Sequence, residues 1–167
     1  MKILLVCLGN ICRSPTAHGV LEHRISQSGL RGKVTLDSAG TGGYHIGSSP
    51  DSRSIEAAMK RGYDLNPLRA RQVAQQDFET FDYILAMDAN NLKELRLRCP
   101  EEYQHKLQLF LEYSDSGETS VPDPYFGGAD GFQHVLTLIE EACDGLVAHI
   151  LAQHFAEGEV EPPGRSQ

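Results

Sequence analysis

The sequence predicts an α/β fold, a single domain in which a twisted parallel sheet carries helices on both faces. The 167 residues suit one domain, since folded units commonly hold about 100 to 200 residues. Apolar runs of strand length alternate along the chain with segments of helical period, which is the order of repeated βα units. The first run, residues 2–7, is almost wholly apolar, as expected for a strand buried on both faces.

The first βα unit consists of this strand, a tight loop and a helix. Ser14 can act as the N-cap of the helix, and Pro15 suits its first turn. The apolar residues that follow have helical spacing: Ala17, Val20, Leu21 and Ile25. Residues 34–37 are expected to form a short second strand, and the glycine-rich composition of residues 38–51 predicts a long irregular loop.

The second half of the chain repeats the order of strand and helix. A helix is predicted over residues 53–60, a buried strand over 81–87 and a helix over 90–97. Residues 108–111 are expected to form the last strand. Residues 115–131 are polar and contain glycine and proline, so they predict a second long loop.

The longest helical pattern covers residues 132–155, where apolar residues recur at spacings of three and four. That stripe is expected to pack against the sheet rather than to bind a ligand. Residues 157–167 contain Glu, Pro, Gly and Ser without periodicity and predict a flexible C-terminal tail. The domain is therefore expected to span residues 1–156.

Composition and charge exclude several classes of protein. With 40% hydrophobic and 23% charged residues, the chain is globular rather than collagenous or disordered. Its 15 basic and 23 acidic residues leave a net charge of −8, so binding to nucleic acid or to an anionic membrane has no electrostatic basis. No apolar run approaches the roughly 20 residues that span a bilayer, and no secretory signal is recognised at the N-terminus. The four cysteines are too scattered for a disulfide scaffold, so we expect a cytoplasmic protein.

Residues 7–14, Cys-Leu-Gly-Asn-Ile-Cys-Arg-Ser, lie where the first strand leads into the first helix. Backbone N–H groups of such a loop can converge on phosphate oxygens, the helix N-terminus adds about half a positive charge, and Arg13 can hold two oxygens at once. The same field favours a thiolate at Cys7, which can attack phosphorus in line, and Ser14 can hydrogen-bond that thiolate as it departs. The predicted phosphate-binding residues are Leu8, Gly9, Asn10, Ile11, Cys12, Arg13 and Ser14.

Other interpretations of this segment are weaker. Cys7 can be a buried strand residue and Arg13 a surface cation, but a chance Cys-x5-Arg-Ser in a chain of this length occurs about once in a hundred sequences. A zinc site at Cys7 and Cys12 lacks a second ligand pair with suitable spacing. The loop also lacks the Gly-Lys-Ser/Thr ending of a nucleotide-binding loop. We therefore expect neither a metal nor another cofactor.

Extended to Pro15, the loop is followed later in the chain by Asp-Pro-Tyr at residues 123–125. With these two motifs the chain resembles the low-molecular-weight protein tyrosine phosphatases, from Met1 to about Phe155. The resemblance implies a four-stranded parallel sheet, a phosphate-binding loop after its first strand, and no metal. It also implies hydrolysis of phosphotyrosine monoesters and small aryl phosphates through a phosphocysteine intermediate on Cys7. The implied partners are tyrosine-phosphorylated proteins, with phosphate and similar oxyanions as inhibitors.

Asp123 is the expected general acid. A phenolate leaving group has a conjugate acid with a pKa near 10, so protonation by a positioned acid contributes roughly 10² to 10⁴ in rate. Pro122 and Pro124 restrict the backbone on both sides and can hold the carboxyl group over the loop. Its carboxylate would then deprotonate the attacking water in the second half-reaction. A Pro-Asp-Pro turn with a solvated side chain is the alternative.

Selectivity for phosphotyrosine requires a deep slot, because its phosphate lies farther from the backbone than that of phosphoserine. Tyr44 and Tyr125 match the two aromatic wall positions of the family, although loop aromatics are often simple packing anchors. Leu8 and Ile11 would add apolar surface beneath the ring. Related arginine phosphatases carry Thr at the position of Ile11, which favours tyrosine as the substrate here.

The resemblance implies that three polar side chains support the loop, Asn10, Ser14 and Ser38; the alternative is that they are ordinary loop residues. Asn10 also tolerates a left-handed backbone, which such a loop often needs. The family's network usually includes a histidine just before Arg-Ala-Arg-Gln, where this chain has Leu68. None of the seven histidines is related to the loop by its position in the sequence.

Cys12 is the expected redox partner of Cys7. The resemblance implies a reversible disulfide between them that protects the nucleophile from further oxidation. The alternative is that Cys12 is a small buried residue. Cys99 and Cys143 carry no comparable signal and are expected to be packing residues.

Two other functions are compatible with the loop. An arsenate reductase of the same fold relays oxidation through two further cysteines on a flexible segment, but residues 86–92 contain no cysteine and Cys99 stands alone. A phosphotyrosine-binding module without activity would normally lack the thiol, the guanidinium or the acid, and all three are present. A monomeric tyrosine phosphatase is therefore the function that the sequence favours.

Overall fold

The computed structural model describes residues 1–126 and 128–155. Its strands are β1 (Lys2–Cys7), β2 (Thr35–Gly40), β3 (Tyr83–Ala86) and β4 (Leu107–Leu109). They form a single parallel sheet in the order β2-β1-β3-β4, so β1 lies between β2 and β3. The predicted four-stranded parallel sheet is thereby confirmed.

Helices cover both faces of this sheet, as predicted. The α-helices in the described part of the chain are α1 (Arg13–Gln27), α2 (Ser52–Met59), α3 (Asp77–Thr80), α4 (Ala89–Arg98) and α5 (Ala129–His154). Short 3-10 helices cover Glu101–Lys106, Phe110–Tyr113 and Pro124–Phe126. Helices α1, α2 and α5 pack together on one side, whereas α4 packs on β3 and β4 from the other.

Strand β1 shows why both faces must be covered. Ile3, Leu5 and Cys7 lie in the core cluster formed with α1 and α5, whereas Leu4 and Val6 belong to the cluster on the α4 side. Successive side chains of a strand point to opposite faces, so an apolar run without alternation needs a packed layer on each. Burial of each large aliphatic side chain stabilises the fold by roughly 1.5 to 3 kcal/mol.

Helix α5 completes the larger cluster. Its apolar stripe is buried as predicted, at Val135, Leu136, Ile139, Cys143, Leu146 and Ile150. The helix begins at Ala129, three residues before the predicted start at residue 132. The predicted tail, residues 157–167, lies outside the described residues.

Several boundaries differ from the sequence-based expectation. Strand β2 runs to Gly40, because residues 38–40 pair in register with the last three residues of β1, and Ser38 therefore lies on a strand instead of in the loop. Strand β4 ends at Leu109, and a 3-10 helix replaces the rest of the predicted strand. Helix α3 and the 3-10 helix Glu101–Lys106 are too short for the apolar periodicity that predicts longer elements.

The carboxyl ends of β1 and β2 approach each other closely at Gly40. A side-chain carbon added at this residue would lie 2.6 Å from the carbonyl oxygen of Leu8. Glycine therefore allows the end of β2 to support the loop that follows β1. Among the residues that the structure describes, no helix is both long and apolar enough for a membrane crossing.

Candidate active site

The loop that follows β1 has its carbonyl groups turned outward. The carbonyl oxygens of Cys7 and Leu8 accept hydrogen bonds from the backbone of residues 41 and 42, each at 2.9 Å, and that of Ile11 accepts one from Asp51 at 2.8 Å. Asn10 has a φ of 58°, the one residue other than glycine with a positive φ in residues 1–126 and 128–155. This left-handed residue reverses the chain, as the sequence predicts for an asparagine at this position.

The N–H groups of the same loop are left free for a ligand. No backbone acceptor among the described residues takes the N–H groups of Leu8, Gly9, Ile11 and Cys12. The first N–H groups of α1 add to this set, because a helix cannot satisfy them internally. Converging N–H groups at a helix N-terminus form a site for a tetrahedral oxyanion.

Cys7 lies at the base of this loop with its sulfur hydrogen-bonded. The backbone N–H of Asn10 donates to Cys7 Sγ at 3.2 Å, and Ser14 Oγ lies 3.0 Å from the same atom. The sequence predicts that Ser14 can be the N-cap of α1, and this prediction is wrong. The helix begins at Arg13 with Cys12 at the N-cap position, and the Ser14 hydroxyl is turned toward the sulfur.

Asn10 connects the polar residues beneath the loop. Its Nδ2 donates to Ser14 Oγ at 2.8 Å and to Ser38 Oγ at 3.1 Å, and its Oδ1 accepts from the backbone N–H of Arg71 at 2.9 Å. Because the Ser14 oxygen already accepts from Asn10, its hydroxyl proton is available to Cys7 Sγ. The structure thus brings together the three predicted support residues, Asn10, Ser14 and Ser38.

A histidine that the sequence analysis does not relate to the loop also joins this network. His18 Nδ1 lies 3.3 Å from Ser38 Oγ, on the inner side of α1, and the residue is 9% exposed. Burial lowers the pKa of His18, partly opposed by Glu22 and Asp37, so the neutral ring is favoured. Leu68, at the position where the family usually has histidine, packs against the apolar cluster instead.

Arg13 is held rigidly although it carries a charge in the interior. The residue is 3% exposed, and its Nη1 donates to Asp88 Oδ2 at 2.6 Å and to the carbonyl oxygen of Val121 at 3.0 Å. Asp88 is itself fixed, because its Oδ1 caps α4 by accepting from the N–H of Asn91. These contacts hold Arg13 in the wall of a slot that lies above the loop.

The slot above the loop has a volume of about 150 Å³. Its lining includes most of the predicted site residues, namely Cys7, Leu8, Gly9, Ile11, Cys12, Arg13, Tyr44, Asp123 and Tyr125. His45 also lines it, which the sequence analysis misses. Tyr44 is 76% exposed and Tyr125 is 38% exposed, so the two rings border the opening rather than the base.

Asp123 lies beside the guanidinium in this slot. Its Oδ2 is 3.7 Å from Arg13 Nη2, and its Oδ1 accepts from the N–H of Tyr125 at 3.0 Å. The segment is tied to the sheet edge where Val121 donates its N–H to the carbonyl oxygen of Met87. The side chain of Asp123 lines the slot and is 36% exposed.

Arg53 connects the loop of residues 121–126 to the loop that follows β1, a contact that the sequence does not predict. Its guanidinium donates to both carboxylate oxygens of Asp51 at 3.0 Å and to the carbonyl oxygen of Tyr125 at 2.9 Å. These hydrogen bonds lower the pKa of Asp51. Since the backbone of Asp51 donates to Ile11, one side chain spans both loops.

Cys12 lines the same slot as Cys7 and is a neutral thiol. Burial raises the pKa of Cys12 to about 12, although a hydrogen bond with Ser54 acts in the opposite direction. Cys7 and Cys12 are both free and buried. Within residues 1–126 and 128–155, no cluster of three or more His, Cys, Asp or Glu side chains is suited to a metal ion.

Comparison with known proteins identifies the family. The family model described as low molecular weight phosphotyrosine protein phosphatase matches residues 2–156. The Bacillus subtilis low molecular weight protein-tyrosine-phosphatase YfkJ is 42% identical over 151 residues, which cover 90% of this chain and 96% of that protein. The human low molecular weight phosphotyrosine protein phosphatase is 36% identical, over 85% of this chain and 90% of its own length.

Solved structures agree with this assignment. A protein tyrosine phosphatase from Entamoeba histolytica, crystallised with Hepes in its active site, has a TM-score of 0.89 and 44% identity, covering 91% of this chain and 97% of its own. Vibrio vulnificus Wzb, in complex with benzylphosphonate, has a TM-score of 0.79 and 31% identity, covering 89% and 97%. The chain therefore belongs to the low-molecular-weight phosphotyrosine protein phosphatase family.

Proposed function

We propose that this protein is a tyrosine phosphatase that hydrolyses phosphotyrosine in proteins, and small aryl phosphates, through a phosphocysteine intermediate on Cys7. The observation that carries the proposal is the position of Cys7 Sγ at the base of a loop with outward carbonyl groups and unpaired N–H groups. Arg13 is buried in the same wall. This arrangement suits a phosphate dianion with its phosphorus above the sulfur.

In the first step, the Cys7 thiolate attacks phosphorus and the bond from phosphorus to the phenolic oxygen breaks. The loop N–H dipoles and the positive charge of Arg13 are fixed in place, and they stabilise the negative charge on the equatorial oxygens. Asp123 transfers its proton to the leaving phenolate. The products of this step are the free phenol, a carboxylate at Asp123 and a phosphoryl group on Cys7.

In the second step, water attacks the phosphoryl group from the side that the phenol has left. The Asp123 carboxylate takes a proton from this water, and the bond from sulfur to phosphorus breaks. The Ser14 hydroxyl, 3.0 Å from Cys7 Sγ, donates to the departing thiolate. Inorganic phosphate leaves, and Asp123 is protonated again for the next cycle, so no cofactor is required.

The preference for an aryl ester follows from the rim. Tyr44 and Tyr125 border the opening and can contact both faces of a phenyl ring, with Leu8 and Ile11 beneath it. Benzylphosphonate, which the related Wzb binds, combines an aromatic ring with a tetrahedral oxyanion. The same combination is present in phosphotyrosine, whereas phosphoserine offers no ring to this slot.

Cys12 supports a reversible redox step in this proposal. Peroxide oxidises the Cys7 thiolate to a sulfenic acid, and the Cys12 thiol condenses with it to a disulfide with loss of water. A dithiol then reduces the disulfide and restores activity. In Cys12→Ser, most of the recovery after peroxide treatment should be lost, and equal recovery in both proteins would contradict the step.

The proposed function is tested by turnover of matched phosphotyrosine, phosphoserine and phosphoarginine peptides. We expect hydrolysis of the phosphotyrosine peptide at a kcat/KM at least about 10²-fold above the other two, because they lack the buried ring. Cys7→Ser should bind the phosphotyrosine peptide without turnover. Faster hydrolysis of phosphoserine or phosphoarginine, or turnover by Cys7→Ser, would contradict the proposal.

A further inference from the structure

A second cavity adjoins the phosphate slot and is not used by the proposed mechanism. This side groove lies between residues 41–44 and the face of α4 that carries Asn90, Asn91, Glu94 and Arg98, and its volume is about 710 Å³. It shares Leu8, Arg13, Tyr44 and Asp123 with the slot, so a substrate held in the slot continues beside it. The side groove is therefore placed to receive residues that flank a phosphotyrosine.

Two of the hydrogen-bond donors around the side groove, Arg98 and Gln72, are engaged within the protein. Arg98 Nη2 donates to the carbonyl oxygen of Thr41 at 2.8 Å, and Gln72 Nε2 donates to the same oxygen at 3.1 Å. Arg98 Nη2 also contacts Glu94 Oε1 at 3.0 Å. These bonds join α4 to the loop after β2 and fix the shape of the groove.

One residue that lines the side groove, Asn91, carries a buried acceptor without a hydrogen-bond partner. Asn91 lines the groove, is 3% exposed, and has its backbone fixed by the hydrogen bond from its N–H to Asp88. Its Oδ1 is the one buried side-chain nitrogen or oxygen atom without a hydrogen-bond partner in residues 1–126 and 128–155. Buried amide oxygens are nearly always paired, so this atom points to a ligand that supplies a donor.

The charges around the side groove favour a cationic donor. Three carboxylates line it, at Asp88, Glu94 and Asp123, against the guanidinium groups of Arg13 and Arg98. A phosphate dianion in the adjoining slot makes the region more negative still. A lysine ammonium offers three N–H donors and a compact charge, which suits a groove lined by an amide and three carboxylates.

We propose that the side groove binds a basic side chain of the substrate, close in sequence to the phosphotyrosine, with its N–H donating to Asn91 Oδ1. The inference rests on the proposed function and specifies its substrate class: tyrosine-phosphorylated segments with a neighbouring lysine or arginine. Asn91 is proposed to determine substrate specificity and does not contact the reacting atoms.

Steady-state kinetics on a peptide series test this inference. Each peptide carries one phosphotyrosine and, at one flanking position at a time, lysine, norleucine or glutamate. Norleucine keeps the four-carbon stem of lysine and lacks its ammonium group. We expect one position at which lysine lowers KM about 5- to 10-fold relative to norleucine, as one charge-assisted hydrogen bond would, while glutamate raises KM. The lysine preference should weaken with added salt.

Variants on α4 assign the effect to Asn91. In Asn91→Leu, which keeps the branched shape and the number of side-chain heavy atoms, the ratio of KM between the norleucine and lysine peptides should fall to about 2-fold or less. Leu97→Ala, an exposed change on the same helix outside the groove, should retain the wild-type ratio. If Asn91→Leu does not fold, Glu94→Gln at the exposed margin should reduce the ratio about 2- to 3-fold.

The outcomes separate this inference from the proposed function. Equal KM values for the lysine and norleucine peptides at every position would overturn the side groove as a basic subsite while leaving phosphotyrosine hydrolysis intact. An unchanged lysine preference in Asn91→Leu would remove Asn91 from the role. Absence of turnover on all phosphotyrosine peptides would instead contradict the proposed function itself.

Discussion

The phosphate loop and the rim above it are held in different ways. In the loop, Asn10 alone makes three side-chain hydrogen bonds, and Cys7 Sγ is contacted from two sides within the interior. At the rim, Tyr44 is largely exposed and Asp123 accepts a local backbone bond. The loop is fixed by the core, whereas the rim is held by side chains that bond to its backbone, from Arg53 to Tyr125 and from Arg98 and Gln72 to Thr41.

The loop and the rim are therefore expected to have different roles in catalysis and in substrate recognition. Stabilisation of a transferring phosphoryl group needs donors that are already in place and do not reorganise. Recognition of a protein segment needs a surface that substrates of varied shape can reach. We therefore expect changes in the loop to lower kcat for every substrate, and changes at the rim to depend on the leaving group or on the ring.

The largest effect is expected at Arg13. Arg13→Ala removes the bidentate donor and should lower kcat for p-nitrophenyl phosphate by about 10³-fold or more. Arg13→Lys keeps the charge without the planar fork and should remain at least about 10²-fold below the wild type. Near-normal turnover by either variant would show that the fixed guanidinium does not stabilise the transition state.

The next effect separates the rim from the loop by leaving group. Asp123→Asn should lower kcat for phenyl phosphate by about 10² to 10⁴-fold, because a basic phenolate needs its proton. The decrease for p-nitrophenyl phosphate should be much smaller, since that leaving group is stable as the anion. Slowing by the same factor for both esters would remove Asp123 from the role of general acid.

The network beneath the loop should show an intermediate effect. Asn10→Ala removes three hydrogen bonds at a left-handed residue and should lower kcat about 10- to 100-fold for all esters alike. Asn66→Ala, an exposed asparagine bonded locally to Asp64, serves as the control and should retain wild-type kcat. A rise in KM with unchanged kcat in Asn10→Ala would indicate a role in binding instead.

The sequence predicts the parts of the site that are contiguous in the chain. Residues 7–14 and Asp123 are found because a loop motif and a Pro-Asp-Pro segment carry their chemistry locally. His18, His45 and Arg53 are missed, since each reaches the site from an element whose own pattern signals only a helix or a loop. Burial of His18 against Ser38 depends on the register of β2 beside α1, which no local pattern encodes.

The same distinction explains the errors in the fold. The sheet and its two packed layers follow from apolar periodicity, which the core of β1 and α5 confirms. The end of β2 depends instead on pairing with β1 across Gly40, where polar and small residues give no strand signal. The hydroxyl of Ser14 forms its bond to a sulfur in the preceding loop, so a rule for helix caps misplaces it.

A smaller effect is expected from the aromatic rim. Tyr44→Ala should raise KM for a phosphotyrosine peptide by about 2- to 13-fold, the equivalent of the 0.5 to 1.5 kcal/mol of one ring contact. Tyr44→Phe keeps the ring and should behave as the wild type. A lower kcat with an unchanged KM in Tyr44→Ala would show that Tyr44 acts in the chemical step and not in substrate binding.

The smallest effect concerns stability and pH. Because the folded pKa of His18 is lowered, the unfolded chain binds the proton more readily, so the stability associated with neutral His18 is present above about pH 6.5 and is lost as the pH falls below it. The loss cannot exceed about 1.4 kcal/mol per pH unit for one group.

Urea unfolding at several pH values between 5 and 7.5 measures this loss. The wild type should lose stability toward pH 5 more steeply than His18→Gln. His23→Gln, an exposed change on the same helix, should keep the wild-type dependence. Parallel curves for the wild type and His18→Gln would show that His18 does not titrate against folding.

The proposed mechanism requires that Cys7 carries the phosphoryl group during turnover. Rapid mixing with an aryl phosphate, a denaturing alkaline quench and mass spectrometry of the peptide that contains residues 7–13 measure it directly. The predicted result is one phosphoryl group on Cys7 that appears within the first turnover and is absent in Cys7→Ser. Steady turnover with no phosphoryl group on Cys7 at any time, or with the group on another side chain, would contradict the proposal.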